Sequence, residues 1–193
     1  MRRRIAVPAF LAVAFVAAGC AIPTQNAPSP IPSSKVPFDL LNPHPPTTTT
    51  TQPKAFVPVK VFFLNSSNQL EPAARVVASP APLSSIVTAM LAGPTSAEVA
   101  NGVVTAIPGN VTVLSTTTQG GVVTVNMNTA FGQITGNNTE LAVAQIVATV
   151  ATENGLATGV IFEIDGQRTQ VPIANGSQVA GPVYLIEFLN VAP

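Results

Sequence analysis

The sequence predicts an α+β domain: a mostly antiparallel sheet with two helices packed on one face. Two observations carry this. Short β-branched or aromatic segments follow one another with turn residues between them, and two segments with helical spacing interrupt those runs. The first strand is Val59-Lys-Val-Phe-Phe-Leu64, closed by the turn Asn65-Ser-Ser-Asn68. Arg75-Val-Val-Ala78 gives a second short strand. Leu83, Ile86, Val87, Met90 and Leu91 then fall at helical spacing, with Pro82 at the start and Gly93-Pro94 just past the end.

Val111-Thr-Val-Leu-Ser115 and Val122-Val-Thr-Val-Asn126 alternate apolar and polar residues around Gln119-Gly-Gly121, which describes a half-buried antiparallel hairpin. A longer helix covers 141–150. Asn137 and Glu140 have capping-box spacing before it, Val143, Ile146, Val147 and Val150 form its core stripe, and Asn154-Gly155 ends it. Strands at 159–164, 169–173 and 182–188 complete the domain, the first two joined at Asp165-Gly166.

The N-terminus has the three parts of a secretory signal: Arg2-Arg3-Arg4, an apolar run over 5–18, and the small residues Ala17-Ala18-Gly19 before Cys20. The run is shorter than the roughly 20 apolar residues of a membrane span, and Pro8 interrupts it. Cleavage therefore leaves Cys20, the chain's single cysteine, at the new N-terminus. Ala17-Ala18-Gly19-Cys20 resembles a bacterial lipobox, with Ala17 where Leu is usual. It implies lipidation of Cys20 by acyl chains such as palmitate and a lipoprotein on the extracytoplasmic face of the cell membrane. With about 0.8 kcal/mol for each buried methylene, more than one chain makes such an anchor stable.

Residues 20–56 are rich in Pro, Ser, Thr and Asn, with Pro43-His-Pro-Pro46 and five consecutive threonines from Thr47. This composition buries too little apolar surface to offset ordering entropy and reads as a flexible tether. Its prolines extend it towards about 3.1 Å per residue, enough to hold residues 57–193 several nanometres off the membrane. Without the three arginines of the signal, five basic residues face eight acidic ones, so a nucleic-acid partner is excluded for want of a positive field.

Val61-Phe-Phe-Leu64, Ala89-Met-Leu-Ala-Gly-Pro94, Thr105-Ala-Ile-Pro108, Val123-Thr-Val-Asn126 before Phe131, Ala144-Gln-Ile-Val-Ala-Thr149 and Val160-Ile-Phe-Glu-Ile-Asp-Gly166 follow one another in this order. Together they resemble the GerMN domain of spore germination and sporulation proteins, a family that includes actinobacterial envelope lipoproteins. Asn126 stands where many members have Asp. The Ala and Val content and the alanine-rich signal suit an actinobacterium. Membership implies an extracytoplasmic domain associated with the cell wall or with partner proteins, and it brings no catalytic residues.

The residue inventory argues against an enzyme. The only histidine, His44, lies in the tether between prolines, so neither a nucleophile–base pair nor a metal site forms around it. Paired carboxylates would have to come from Glu98, Glu140, Glu153, Glu163, Asp165 and Glu187. No phosphate-binding glycine loop is present, and no cofactor is implied. Gln145 is the polar exception in an apolar helix, either turned to solvent or capping a buried backbone group. Tyr184 and a few phenylalanines are the only rings for sugar stacking. Asn65, Asn110, Asn137 and Asn175 fit the glycosylation pattern but read as turns in a bacterial protein.

The function expected is a binding or adaptor module in the cell envelope, with protein partners or peptidoglycan as its target. The alternatives are an accessory to a membrane sensor kinase or transporter, and a dedicated peptidoglycan-binding module.

Overall fold

The computed structural model describes Pro32, residues 55–155 and residues 158–191. Cys20, His44 and the signal lie outside the described residues, as does the tether apart from Pro32 and its last two positions. All described residues but Pro32 belong to the unit Thr51–Pro193.

The chain opens with two long antiparallel strands, β1 (Phe56–Leu64) and β2 (Leu70–Ala78), joined at an Asn65 turn. Asn65 Oδ1 accepts from the N–H groups of Ser67 and Gln69, the side-chain turn its residue type favours. Helix α1 (Leu83–Leu91) buries Ile86, Val87 and Met90 and stops before Gly93, whose φ of +81° suits glycine. A five-residue helix, α2 (Ser96–Ala100), follows, a further element beyond the two helices expected.

Next come β3 (Val113–Gln119) and β4 (Val122–Met127), with positive φ at both turn residues, Gly120 and Gly121. The hairpin stands where it was expected, but Val111 precedes its first strand and is buried in the loop before it. Helix α3 (Asn137–Asn154) then crosses over so that β5 (Gly159–Ile164) pairs parallel with β4. Three short strands, β6 (Gln167–Arg168), β7 (Val171–Pro172) and β8 (Gln178–Val179), pair antiparallel as β5–β6 and β7–β8. The sheets are thus β1–β2, β3–β4–β5–β6 and β7–β8, and β4–β5 is the one parallel ladder among them. The fold class is α+β, mostly antiparallel.

Helix α3 is the axis of the core. The expected stripe Val143, Ile146, Val147 and Val150 is buried, and so is every residue from Leu141 to Ala151. The reason is its neighbourhood: α3 touches β1, β2, β5, β7, α1 and the C-terminal segment, which leaves its middle no side for solvent. Strand β5 is likewise buried over four consecutive residues, the pattern of a strand covered on both faces. Phe162 stacks on Phe131 with ring centroids 5.7 Å apart.

Three expectations are corrected. Residues 169–173 are not the hairpin partner of β5: that partner is β6, while β7 covers only Val171–Pro172 and pairs with β8. Asn137 does not cap α3; Gly136, with φ of +66°, takes the N-cap position and leaves Asn137 inside the helix. The Glu140 carboxylate accepts instead from Asn190 Nδ2 at 3.0 Å. Residues 182–188 do not form a strand. Val183 makes a single two-bond bridge to Val160, after which Glu187 Oε2 accepts the Tyr184 N–H at 2.7 Å and the chain coils into the 3-10 segment Leu185–Val191. No helix among the described residues is long and apolar enough to cross a membrane.

Candidate functional site

Three of the motifs that carry the family resemblance meet at Gln145. The residue is wholly buried. Its Nε2 donates to the Phe62 carbonyl at 3.2 Å, and its Oε1 accepts from Ala106 N at 2.9 Å. Thr105 Oγ1 lies 3.2 Å from Nε2 and itself accepts the Ile107 N–H. Of the two readings open in the sequence, Gln145 takes the buried backbone cap.

One turn further along α3, Thr149 Oγ1 accepts the Phe62 N–H at 3.0 Å and donates to Gln145 O at 2.8 Å. Another turn on, Glu153 Oε1 accepts the Lys60 N–H at 2.8 Å. The spacing explains the fit: four helical residues rise about 6 Å, close to the roughly 6.7 Å of two strand residues. Side chains at 145, 149 and 153 therefore track the β1 edge that β2 leaves open. Leu64 closes the same edge through its two backbone bonds to Val104. No buried side-chain nitrogen or oxygen among the described residues lacks a partner.

A second polar cluster joins β2 to α2. The two terminal nitrogens of the Arg75 guanidinium, Nη1 and Nη2, donate to Glu98 at 2.8 and 2.7 Å; Nη2 also reaches Gly93 O, and the group lies over the Phe63 ring, 4.9 Å from its centre. Thr95 and Glu98 form a complete capping box at the start of α2. The Arg75 bond, helped by the Thr95 bonds and opposed by burial, lowers the Glu98 pKa from 4.5 to about 2. The sequence signal for this cluster was Thr95-Ser-Ala-Glu98, the standard capping-box spacing.

Asn126 joins two further motifs, its Oδ1 accepting the Gly166 N–H of the β5–β6 turn at 2.9 Å. The remaining carboxylates are dispersed: Glu187 caps Tyr184, Glu140 holds Asn190, Glu163 stands opposite Arg168, and Asp165 sits in the turn. Among the described residues, no three His, Cys, Asp or Glu side chains lie close enough to share a metal ion. Of the sequons, Asn175 makes a side-chain turn to Ser177 as Asn65 does to its own neighbours. Tyr184 packs its ring against Gly159, where an added Cβ would sit 3.0 Å from ring carbons. That contact holds the Tyr184 ring against the domain.

The described surface offers open clefts. One of about 420 Å³ is lined by Pro58, Lys60, Ala74, Thr152 and Glu153. Another of about 300 Å³ lies between α1 and the loop at Val111. Both are mainly apolar; the first also carries one amine, Lys60, and one carboxylate, Glu153, whose Oε1 accepts the Lys60 N–H.

The fold and this arrangement define a class: a small α+β domain whose polar motif residues fasten a central helix to a strand edge. The chain belongs to the Germane family, described as sporulation and spore germination, which matches residues 60–170, more than half of its length. The same fold occurs in the tandem GerMN domains of the sporulation protein GerM from Bacillus subtilis, 18% identical with a TM-score of 0.52, over 67% of this chain and 46% of that one. This chain thus spans less than half of that tandem. The first GerMN domain of the same protein is 17% identical with a TM-score of 0.49, over 66% of this chain and 97% of that one. No curated protein matches the chain.

Proposed function

We propose that this protein is a lipoprotein anchored through Cys20 to the outer face of a membrane, whose GerMN domain is a non-catalytic binding and adaptor module for envelope proteins or cell wall. The observation that carries the reading is the use made of the polar motif residues. Gln145 and Thr149 have their hydrogen-bonding groups engaged inside the protein, Asn126 Oδ1 accepts the Gly166 N–H, and Glu98 is held ionised by Arg75. None is left as a free acid, base or nucleophile in a pocket, the condition acid–base or covalent chemistry needs. What remains for a partner is surface, and much of it is apolar: Phe56, Val76, Ile186 and Leu189 are each more than 60% exposed.

The test is binding of the full chain to purified peptidoglycan, run beside a crosslinked pull-down from the membranes that contain it. A reproducible protein partner without wall binding supports the adaptor. If that partner is a sensor kinase or a transporter, the protein is its accessory. Saturable wall binding alone makes it a peptidoglycan module, and the absence of both wall binding and a protein partner would sink the binding reading. Anchoring is tested separately by labelled palmitate, which Cys20→Ser should abolish.

A further inference from the structure

The β1–β2 sheet has one closed edge and one open edge. Side chains of α3 and the backbone of Val104 occupy the outer groups of β1 from Lys60 to Leu64. Among the described residues, β2 has β1 as its only strand neighbour. Lys60, Phe62 and Leu64 turn their backbone groups away from β2, so their partners in the register, Ala74, Pro72 and Leu70, turn theirs the other way, and Val76 and Ala78 follow by alternation. Pro72 has no N–H and Pro80 follows the strand, which bounds a usable window from Ala74 to Ala78.

The face of this hairpin turned from the core is also unusual. Antiparallel strands with one solvated face put polar residues there. This face carries Phe56, Pro58, Ala74 and Val76, with Lys60 its one charge, and Phe56 and Val76 are 64% and 68% exposed. The other long edge, β3, is protected in the usual way, by polar residues from Ser115 to Gln119 and a bulge between Val113 and Ser115.

We propose that β2 is a self-association edge: two copies of this chain join their β2 strands antiparallel about Val76 and form a four-stranded β1–β2–β2–β1 sheet. The window is self-complementary in that register. Val76 stands opposite its copy and Ala74 opposite Ala78, so every outward N–H between Ala74 and Ala78 meets a carbonyl. Centring on Ala74 would bring in Pro72, and centring on Arg75 would set two guanidinium groups side by side. Arg75 is the only charge in the window and is already paired with Glu98, so the strands meet without an unpaired charge. It also donates to the Ala74 carbonyl, which retains a second lone pair for the neighbouring strand. The pairing brings the two Val76 side chains together on the apolar face.

The test is disulfide crosslinking of the full chain in its membranes. Opposed hydrogen-bonded residues stand about 5.5 Å apart at Cα, within disulfide reach. Val76→Cys should yield a dimer of twice the chain mass on mild oxidation, containing both tags when two tagged versions are co-expressed. Thr117→Cys on β3 and the unsubstituted chain, whose one cysteine is Cys20, should not. Ala74→Pro in the V76C background removes an outward N–H and should lower the yield about tenfold. Val76→Lys, a change at an exposed position, should leave the chain monomeric by sedimentation in detergent. The proposal is overturned if V76C crosslinks no more than T117C, or if it crosslinks only to a protein of another mass.

Discussion

Gln145 reaches from the middle of α3 to the carbonyl of Phe62 on β1 at 3.2 Å, and with Thr149 it satisfies both backbone groups of that one residue. Replacing Gln145 with Leu keeps much of the volume but leaves the Phe62 carbonyl and the Ala106 N–H without their partner in a part-buried site. An unmet buried backbone group costs about 1–3 kcal/mol. The expected outcome is a loss of about 2–4 kcal/mol in urea unfolding, with an unchanged m-value. Thr149→Val should cost less, because the hydroxyl meets one strand group. The two losses should not add, since both act on Phe62. A loss below about 0.5 kcal/mol for Gln145→Leu, the scale of a surface change, would show that the network does not hold the helix to the strand.

The same residue shows how far the sequence could be read. A lone polar residue in an apolar helix allows solvent or a buried cap, and only the position of β1 decides between them. The stripe on α3 was legible, but the burial of the residues between its members was not, because helical periodicity assumes one wet side and α3 has none. The hairpin turns at Gly120-Gly121 and Asp165-Gly166 were plain from local chemistry, with positive φ at all four residues. Residues 182–188 misled because apolar content alone does not distinguish a strand from a single bridge followed by a 3-10 turn held by Glu187. The capping box lies at Thr95, where the Thr-x-x-Glu pattern is complete, and not at Asn137, where Asn replaces the hydroxyl residue. The β1 edge network joins residues more than eighty positions apart, and no local pattern carries that information.

Acid should weaken the domain through Glu98. Its folded pKa of about 2 lies below its ordinary 4.5, so the ionised form favours the folded state. That contribution is present in full above pH 4.5 and is lost as pH falls from there through about 2. Glu98→Gln should lower stability at neutral pH and flatten this part of the stability profile. Arg75→Met should do the same and also remove the contact over Phe63. Thermal unfolding of the three proteins between pH 2 and 6, a range set by the two pKa values, checks it. A Glu98→Gln profile parallel to the parent would mean that other carboxylates carry the acid sensitivity.

Gly159 begins β5 beneath the segment that follows β8. A Cβ there would lie 2.8 Å from Pro182 Cβ and 3.0 Å from the Tyr184 ring. Its φ is ordinary, so the barrier to substitution is space rather than backbone strain. Gly159→Ala should cost about 1–3 kcal/mol through overpacking. Combining it with Tyr184→Ala should recover part of that loss, since the ring is one of the two obstructions. Equal destabilisation with and without the ring would place the whole clash on Pro182.

Asn126 tests whether a familiar polar position in this family serves a ligand or the turn. Its Oδ1 accepts the Gly166 N–H at 2.9 Å, in a turn whose residues Asp165 and Gly166 both have positive φ. A carboxylate offers the same acceptor, so Asn126→Asp should retain the bond, and the nearby Asp165 limits any gain from added charge. Asn126→Ala removes the acceptor and should cost about 1 kcal/mol, the net value of a typical hydrogen bond. Amide exchange at Gly166 is the direct readout: it should quicken in the Ala variant and stay slow in the Asp variant. If Asn126→Ala leaves Gly166 exchange and stability unchanged, the turn is held by its backbone alone, and the side chain's contribution must be sought in binding.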